Sequence, residues 1–142
     1  MNRIRLLIPD RLFEEMLAHA RSDYPLECCG LLAGLREGGV VTARYPLVNS
    51  RASETEFLSE PQGMFAAMRQ MRNDGTTILA VYHSHPSSEP IPSRKDCEHR
   101  YADDVACVII GMKELVTTRA WWLSEASCHE AEWQIINERR GE

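Results

Sequence analysis

The chain has 142 residues, 44% of them hydrophobic and 26% charged, the balance of a soluble globular protein of about one domain. That balance excludes intrinsic disorder and collagen-like structure as descriptions of the whole chain. Lys and Arg total 16 against 21 Asp and Glu, and the net charge of −5 excludes the electrostatic footprint of a general nucleic-acid binder and gives no reason for attraction to an anionic membrane.

Residues 1–142 are expected to form a single domain. The opening apolar run is too short for a signal peptide, and no stretch approaches the ~18 apolar residues of a spanning helix. Cys28, Cys29, Cys97, Cys107 and Cys128 form no C-x-x-C pair, so reduced thiols, mostly in the core, and a cytoplasmic location are expected. Ile4, Leu6 and Ile8 alternate, which predicts a strand over 3–8. Asp10 can cap a helix over 11–22 with Leu12, Met16 and Ala20 at helical spacing, and Tyr24-Pro25 ends it. Residues 26–35 are almost wholly apolar and predict a buried strand. Arg36-Glu37-Gly38-Gly39 signals a hairpin turn, and 40–48 returns as its partner. After a polar loop come a short strand at 55–58 and a helix over 61–74, with Met64, Met68 and Met71 on its inner face and Gly75 as its stop. A buried strand, 77–82, runs into His83-Ser84-His85-Pro86. A Pro/Ser-rich loop spans 86–92, Ser93 caps a helix over 94–102, and strands follow at 105–110, 116–123 and 128–136. This order predicts an α/β or α+β domain with a mixed sheet covered by helices.

The chemistry concentrates after the 77–82 strand. His83 and His85, at i and i+2 on a strand end, project to the same side, with Cα atoms roughly 6.5–7 Å apart by strand rise. Asp96 lies one turn into the next helix, which the loop can fold back over the strand end. Two imidazoles and one carboxylate make a three-ligand site with an open position, the pattern of a catalytic zinc. Ser93-x-x-Asp96 also reads as a capping box, with no metal required. Glu27 is the only charge between Pro25 and Leu35. A lone carboxylate in a buried strand is expensive unless it is paired, neutralised or functional, which makes it a candidate general base; alternatively it reaches solvent at the strand entrance.

Glu27, then His83-Ser84-His85, seven residues, Ser93, two residues and Asp96 match the signature of the JAMM (MPN+) metallopeptidases, which this chain resembles. The block Pro25-Leu26-Glu27-Cys28-Cys29-Gly30-Leu31-Leu32-Ala33-Gly34 is similar to the prokaryotic branch. The resemblance implies the MPN fold, a curved mixed sheet flanked by helices and akin to the cytidine deaminase architecture. It implies one zinc ion on His83, His85 and Asp96, Glu27 as general base and Ser93 as stabiliser of the tetrahedral oxygen. The short form looks most like bacterial peptidases of small ubiquitin-like sulfur carriers. That implies hydrolysis of an amide bond at the C-terminal glycine tail of a β-grasp protein. Separately, the position of Thr55–Leu58 between a polar loop and a helix, near a short edge strand, makes that segment the expected part of the groove for such a tail.

The main competing expectation is a non-catalytic MPN scaffold that binds protein partners; such members lose metal ligands, and none is lost here. A deaminase is disfavoured because P-C-x-x-C is missing. A non-haem iron oxygenase would use the same ligand types, but Ser93 and Glu27 suit hydrolysis better. Among neighbouring residues, Ser84 is expected to point away from the metal and to hydrogen-bond backbone, and Cys97 to turn away on its helix. His99 is expected on a solvated face, Cys29 in the core, and one ring of Trp121-Trp122 inward with the other nearer the surface.

Overall fold

The structure is a computed structural model that describes residues 3–54 and 59–138. Its elements are β1 (Leu6–Pro9), α1 (Asp10–Asp23), β2 (Cys29–Gly34), β3 (Val41–Leu47), α2 (Pro61–Asp74), β4 (Thr77–His85), α3 (Arg94–Glu98), β5 (Ala106–Gly111), β6 (Thr117–Leu123), β7 (Cys128–Glu130) and β8 (Trp133–Ile136). Six strands form a mixed sheet in the order β3-β2-β4-β5-β6-β7, in which only β4 and β5 run parallel. β1 and β8 pair in parallel as a second, two-stranded sheet. Irregular register near Ala33, against both β3 and β4, adds local twist to the larger sheet. Among the described residues, no helix is long and apolar enough to cross a membrane.

Strand alternation divides the core between the two faces of the sheet. On one face Leu32, Ala80, Tyr82, Val108, Ile110 and Trp122 pack against Leu12, Met16 and Ala20 of α1. On the other, Cys29, Leu31 and Ile78 pack against Ala67 and Met71 of α2. Tyr82 therefore looks toward α1, and the next residue, His83, looks toward the α2 side. Gly30 sits under the Tyr82 ring, where a Cβ would lie 2.3 Å from the nearest ring carbon. The turn at Gly38 and Gly39 uses φ of 86° and 68°, and Gly75 closes α2 at φ 72°, backbone states that favour glycine.

Several expected boundaries move. β2 starts at Cys29 rather than at 26, so Glu27 precedes the strand, with its amide donating to Ser53 O at 2.8 Å. Asp10 is the first residue of α1 rather than its cap, and its carboxylate accepts the Arg11 amide at 2.9 Å. Met68 faces solvent, because the inner face of α2 runs through Ala67 and Met71, and residue 68 lies about 100° round the helix from 67. α3 stops at Glu98 instead of 102, since Arg100 Nη1 takes the Cys97 carbonyl at 2.9 Å that a continuing helix would use. The expected strand 128–136 is two strands in two sheets. Ala131 N donates to Ala120 O at 2.8 Å, and Glu132 O then accepts from Leu6 N at 3.1 Å, which carries the chain from one sheet to the other. Both tryptophans are buried, Trp121 on the face of Ile109 and Leu123, Trp122 on the α1 face. The strand expected at 55–58, and the tail groove placed there, lie outside the described residues.

Candidate active site

The end of β4 delivers His83 and His85 to the same side of the sheet, and both are buried. The loop that follows returns the chain so that α3 starts over them. Asp96 then meets both rings: Oδ1 lies 3.2 Å from His83 Nε2, and Oδ2 lies 3.1 Å from His85 Nε2. The two Nε2 atoms are themselves 3.2 Å apart. Among the described residues this is the one group of three His, Cys, Asp or Glu side chains placed to hold a metal ion.

The capping box and the ligand cluster coexist. Ser93 Oγ accepts the Asp96 amide at 3.1 Å, and Asp96 Oδ2 accepts the Ser93 amide at 2.8 Å. The cap therefore fixes the carboxylate that faces the histidines. Burial would raise the Asp96 pKa, but hydrogen bonds from His83 and His85, the charge of His83 and the Ser93 amide hold it well below the usual carboxylate range.

The His85 ring is oriented from its far side. Nδ1 lies 2.9 Å from Glu89 O, and a carbonyl can only accept, so Nδ1 carries the proton. In the neutral ring Nε2 then presents a lone pair toward the Asp96 oxygen. A proton on Nε2 or a metal ion between Nε2 and the Asp96 oxygen satisfies both atoms. Burial lowers the His85 pKa, but the Asp96 hydrogen bond, the Glu89 carbonyl and the charges of Asp96 and Glu27 outweigh it and raise it. His83 Nδ1 lies 3.8 Å from Cys107 Sγ, a buried thiol whose pKa burial pushes up.

The donor set fits zinc. Bonds of 2.0–2.2 Å in tetrahedral geometry place neighbouring donors ~3.3 Å apart; here the two Nε2 atoms are 3.2 Å apart, and each lies 3.1–3.2 Å from a different oxygen of the Asp96 carboxylate. Two neutral imidazole nitrogens and a carboxylate oxygen are borderline ligands that zinc accepts, and three protein ligands leave a coordination position open.

Glu27 is 3% exposed. Cys29 pairs across the sheet with His83, so Glu27, two residues earlier, comes level with His85. Cys28 packs on the α1 side and Cys29 on the α2 side, so alternation carried one step back turns Glu27 toward the side of His83 and His85. Asn49 Nδ2 donates to Glu27 O at 3.1 Å and the Glu27 amide donates to Ser53 O, so the polar loop after β3 holds this backbone. Ser84 does point the opposite way: its Oγ accepts the Cys28 amide at 2.9 Å, and its own amide donates to Cys28 O at 3.2 Å. These two bonds pin the Glu27-Cys28 segment beside the histidine strand. His99 is exposed at the end of α3 and is not in the ligand cluster. Cys97 packs with Cys107 and Trp121 instead of facing the histidines, and Cys29 is buried in the core.

Two supporting groups escape a side-chain reading. The Glu89 carbonyl is backbone chemistry, invisible to any motif. The loop carrying it is held by Trp121, whose indole N–H donates to Pro90 O at 2.9 Å. Only the strand-compatible Trp121-Trp122 pair hints at this, and nothing local in the sequence says which ring reaches the loop.

The family model described as prokaryotic homologs of the JAB domain matches residues 9–124. A probable TtuB-protein conjugate cleaving protease of Thermus thermophilus is 38% identical over 92 residues, which are 64% of this chain and 60% of that relative, so the chain spans less than two thirds of its length. A CysO-cysteine peptidase of Mycobacterium tuberculosis is 30% identical over 109 residues, 77% of this chain and 75% of that one. The solution structure of a protein from Desulfitobacterium hafniense has a TM-score of 0.85 at 31% identity and covers 94% of both chains. With its curved mixed sheet between helices and a family match that runs from β1 to the end of β6, the chain belongs to the prokaryotic homologs of the JAB domain.

Proposed function

We propose that this chain is a cytoplasmic zinc-dependent peptidase or isopeptidase, one catalytic domain over residues 1–142, that hydrolyses an amide bond at the C-terminal glycine tail of a small ubiquitin-like sulfur-carrier protein. The observation that carries the reading is the meeting of the His83 and His85 Nε2 atoms, 3.2 Å apart, with the two oxygens of one Asp96 carboxylate at 3.1–3.2 Å, level with the buried residue Glu27. The names of the relatives, a protease of TtuB-protein conjugates and a peptidase of CysO-cysteine, support the reaction type and the substrate class.

His83, His85 and Asp96 would hold the ion. Zinc bound there would supply Lewis acidity to a carbonyl oxygen and to water, bringing the pKa of that water toward ~7. Glu27 accepts the proton of the attacking water and returns it to the departing amine. A carboxylate suits both steps, since it is a weak enough base to give the proton up. Ser93 Oγ already accepts the Asp96 amide, so its remaining function is to donate. Its O–H stabilises the oxygen that becomes negative as the carbonyl turns tetrahedral. The histidine rings need no proton chemistry of their own, because the Glu89 carbonyl keeps the proton of His85 on Nδ1.

The decisive test incubates the zinc-loaded protein with sulfur carriers extended beyond Gly-Gly and follows intact mass. The expected result is loss of the extension after the last glycine, abolished by a chelator and restored by zinc. Carrier binding with no loss of mass, in zinc-replete protein, overturns the peptidase and leaves a protein-binding scaffold.

A further inference from the structure

The two imidazoles of the candidate metal centre are met from behind by groups of different kinds. His85 Nδ1 faces a carbonyl oxygen at 2.9 Å, and His83 Nδ1 faces the sulfur of Cys107 at 3.8 Å. Cys107 lies on β5, inside the six-stranded sheet, where it pairs with Val81 on one side and with Trp121 on the other. β4 and β5 run parallel, His83 pairs with Ile109, and Cys107 is two residues earlier on the same face. The sulfur therefore reaches the ring from backbone held on both sides. A cavity of about 210 Å³ opens along this face, with His83, Asp96 and Cys107 in its wall beside the apolar Leu31, Val81 and Leu123.

A thiol can donate or accept, so the distance alone does not give the direction of this bond. The other ring nitrogen gives it. His83 Nε2 lies 3.2 Å from His85 Nε2 and 3.2 Å from Asp96 Oδ1. With a cation held among these atoms, Nε2 offers its lone pair, and the one hydrogen of the neutral imidazole is on Nδ1. Nδ1 then donates and the sulfur accepts. Metal-bound histidines usually donate to a carboxylate, a carbonyl or water, and sulfur is a weaker acceptor than these. Its advantage here is that it adds no charge. A carboxylate in its place would be a further buried anion beside Asp96, whereas a thiol suits an apolar floor.

Resting on the zinc centre of the reading above, we propose that Cys107 is a positioning residue: its sulfur accepts the Nδ1–H of His83 and holds that ring with Nε2 turned to the ion, as the Glu89 carbonyl does for His85. The chemistry assigned to Glu27 and Ser93 leaves this buried thiol without a part. A cysteine that only filled the core would be replaceable by an apolar residue of similar size. A positioning cysteine is not, because neither alanine nor valine carries an acceptor on its side chain.

The test follows histidine ring protons and zinc affinity in the whole chain. In the zinc-loaded parent, proton–nitrogen correlation spectra are expected to show the His83 Nδ1–H as a resolved signal in slow exchange with water. Cys107→Ala and Cys107→Val change the volume in opposite directions, and both remove the acceptor. In both, the His83 ring proton is expected to shift and to exchange faster, while the His85 ring proton, held by the Glu89 carbonyl, stays where it was. Zinc affinity in competition with a chelator is expected to fall about tenfold in both, the lower end of what loss of an orienting partner costs. An unmoved His83 ring proton, or parent-like zinc affinity, in either folded variant overturns the proposal. Equal shifts of both histidine protons also overturn it, since the whole site has then loosened rather than one hydrogen bond. Fast exchange of the His83 proton in the parent overturns it with no variant needed. None of these results touches the peptidase, which is read from loss of carrier mass. A parent that binds no zinc overturns both.

Discussion

Ser93 and Asp96 hydrogen-bond each other in both directions, Oγ to amide at 3.1 Å and amide to Oδ2 at 2.8 Å. The same Oδ2 lies 3.1 Å from His85 Nε2. One carboxylate therefore completes a helix cap and faces the histidines, and its direction is set before any ion arrives. Ser93→Ala is expected to act on two measurements at once. Loss of the cap costs about 1 kcal/mol in urea unfolding. Loss of the hydroxyl donor lowers turnover about 10²–10³-fold at saturating zinc. Ser93→Thr keeps both functions and recovers most of each. A large loss of turnover in Ser93→Thr, with unchanged zinc content, would count against the hydroxyl as donor.

Glu27→Gln separates proton transfer from metal binding. The amide has the size of the carboxylate but does not accept a proton at neutral pH. Zinc content by elemental analysis is expected to stay at one ion per chain, while the rate falls by about 10²–10⁴-fold, the usual contribution of a positioned general base. Removal of a buried negative charge also relieves desolvation, so the variant is expected to melt no lower than the parent. Full activity in Glu27→Gln removes this residue from the mechanism.

The residues of this site were unusually legible. His83, Ser84 and His85 alternate on a strand, so their directions follow from the pleat, and Glu27 stood out as a lone charge in an apolar run. What the chain did not disclose locally are its long-range backbone pairings. Residues 128–136 look like one strand because their composition is continuous, yet Leu6, at the other end of the chain, takes the Glu132 carbonyl and helps divide them. α3 looks longer than it is because the competitor for its last turn is a side chain, Arg100. The Glu89 carbonyl that orients His85 has no residue-type signature. The two buried tryptophans show the same limit: alternation separates their faces, but only β7 and the Pro90 loop decide that both are covered.

The α1 face holds a polar network with a pH signature. Arg44 Nη1 donates to Tyr82 Oη at 2.8 Å, and Tyr82 Oη lies 2.7 Å from His19 Nδ1. The phenol O–H donates to a neutral His19, whose Nε2 lies 3.4 Å from Asp23. Burial lowers the His19 pKa, and the charge of Arg44 adds to that against the opposing pull of Asp23. The folded value therefore lies below the unfolded one, ~6.5. Above the unfolded pKa both states are neutral and the contribution is complete. As pH falls between the two values, the unfolded chain binds a proton that the folded chain refuses, and stability is lost until the folded pKa is passed. Melting temperatures from pH 8 down to 5 are expected to fall more steeply in the parent than in His19→Asn. Tyr82→Phe strands its two partners and costs about 1–3 kcal/mol. Parallel pH profiles for parent and His19→Asn would show that His19 does not carry the effect.

Gly111 offers a way to loosen the candidate metal centre without touching a ligand. A Cβ there would lie 2.5 Å from Pro90 Cδ, 2.6 Å from Pro90 N and 2.9 Å from Glu89 C. These are mostly backbone atoms, so Gly111→Ala must displace the loop rather than rotate a side chain. The displaced atoms include the carbonyl carbon of Glu89, whose oxygen sets the proton position of His85 at 2.9 Å, and the loop's anchor to the Trp121 indole is strained by the same movement. Disturbing such an orienting partner typically costs 10–100-fold in metal affinity. Gly111→Ala is therefore expected to weaken zinc binding by about that factor in competition with a chelator, and to recover activity when excess zinc is supplied. Trp121→Phe, which removes only the indole donor, is expected to shift zinc affinity in the same direction by a smaller amount. If Gly111→Ala binds zinc like the parent, the Glu89 carbonyl is not what orients His85, and the fixed lone pair of that ring loses its structural cause.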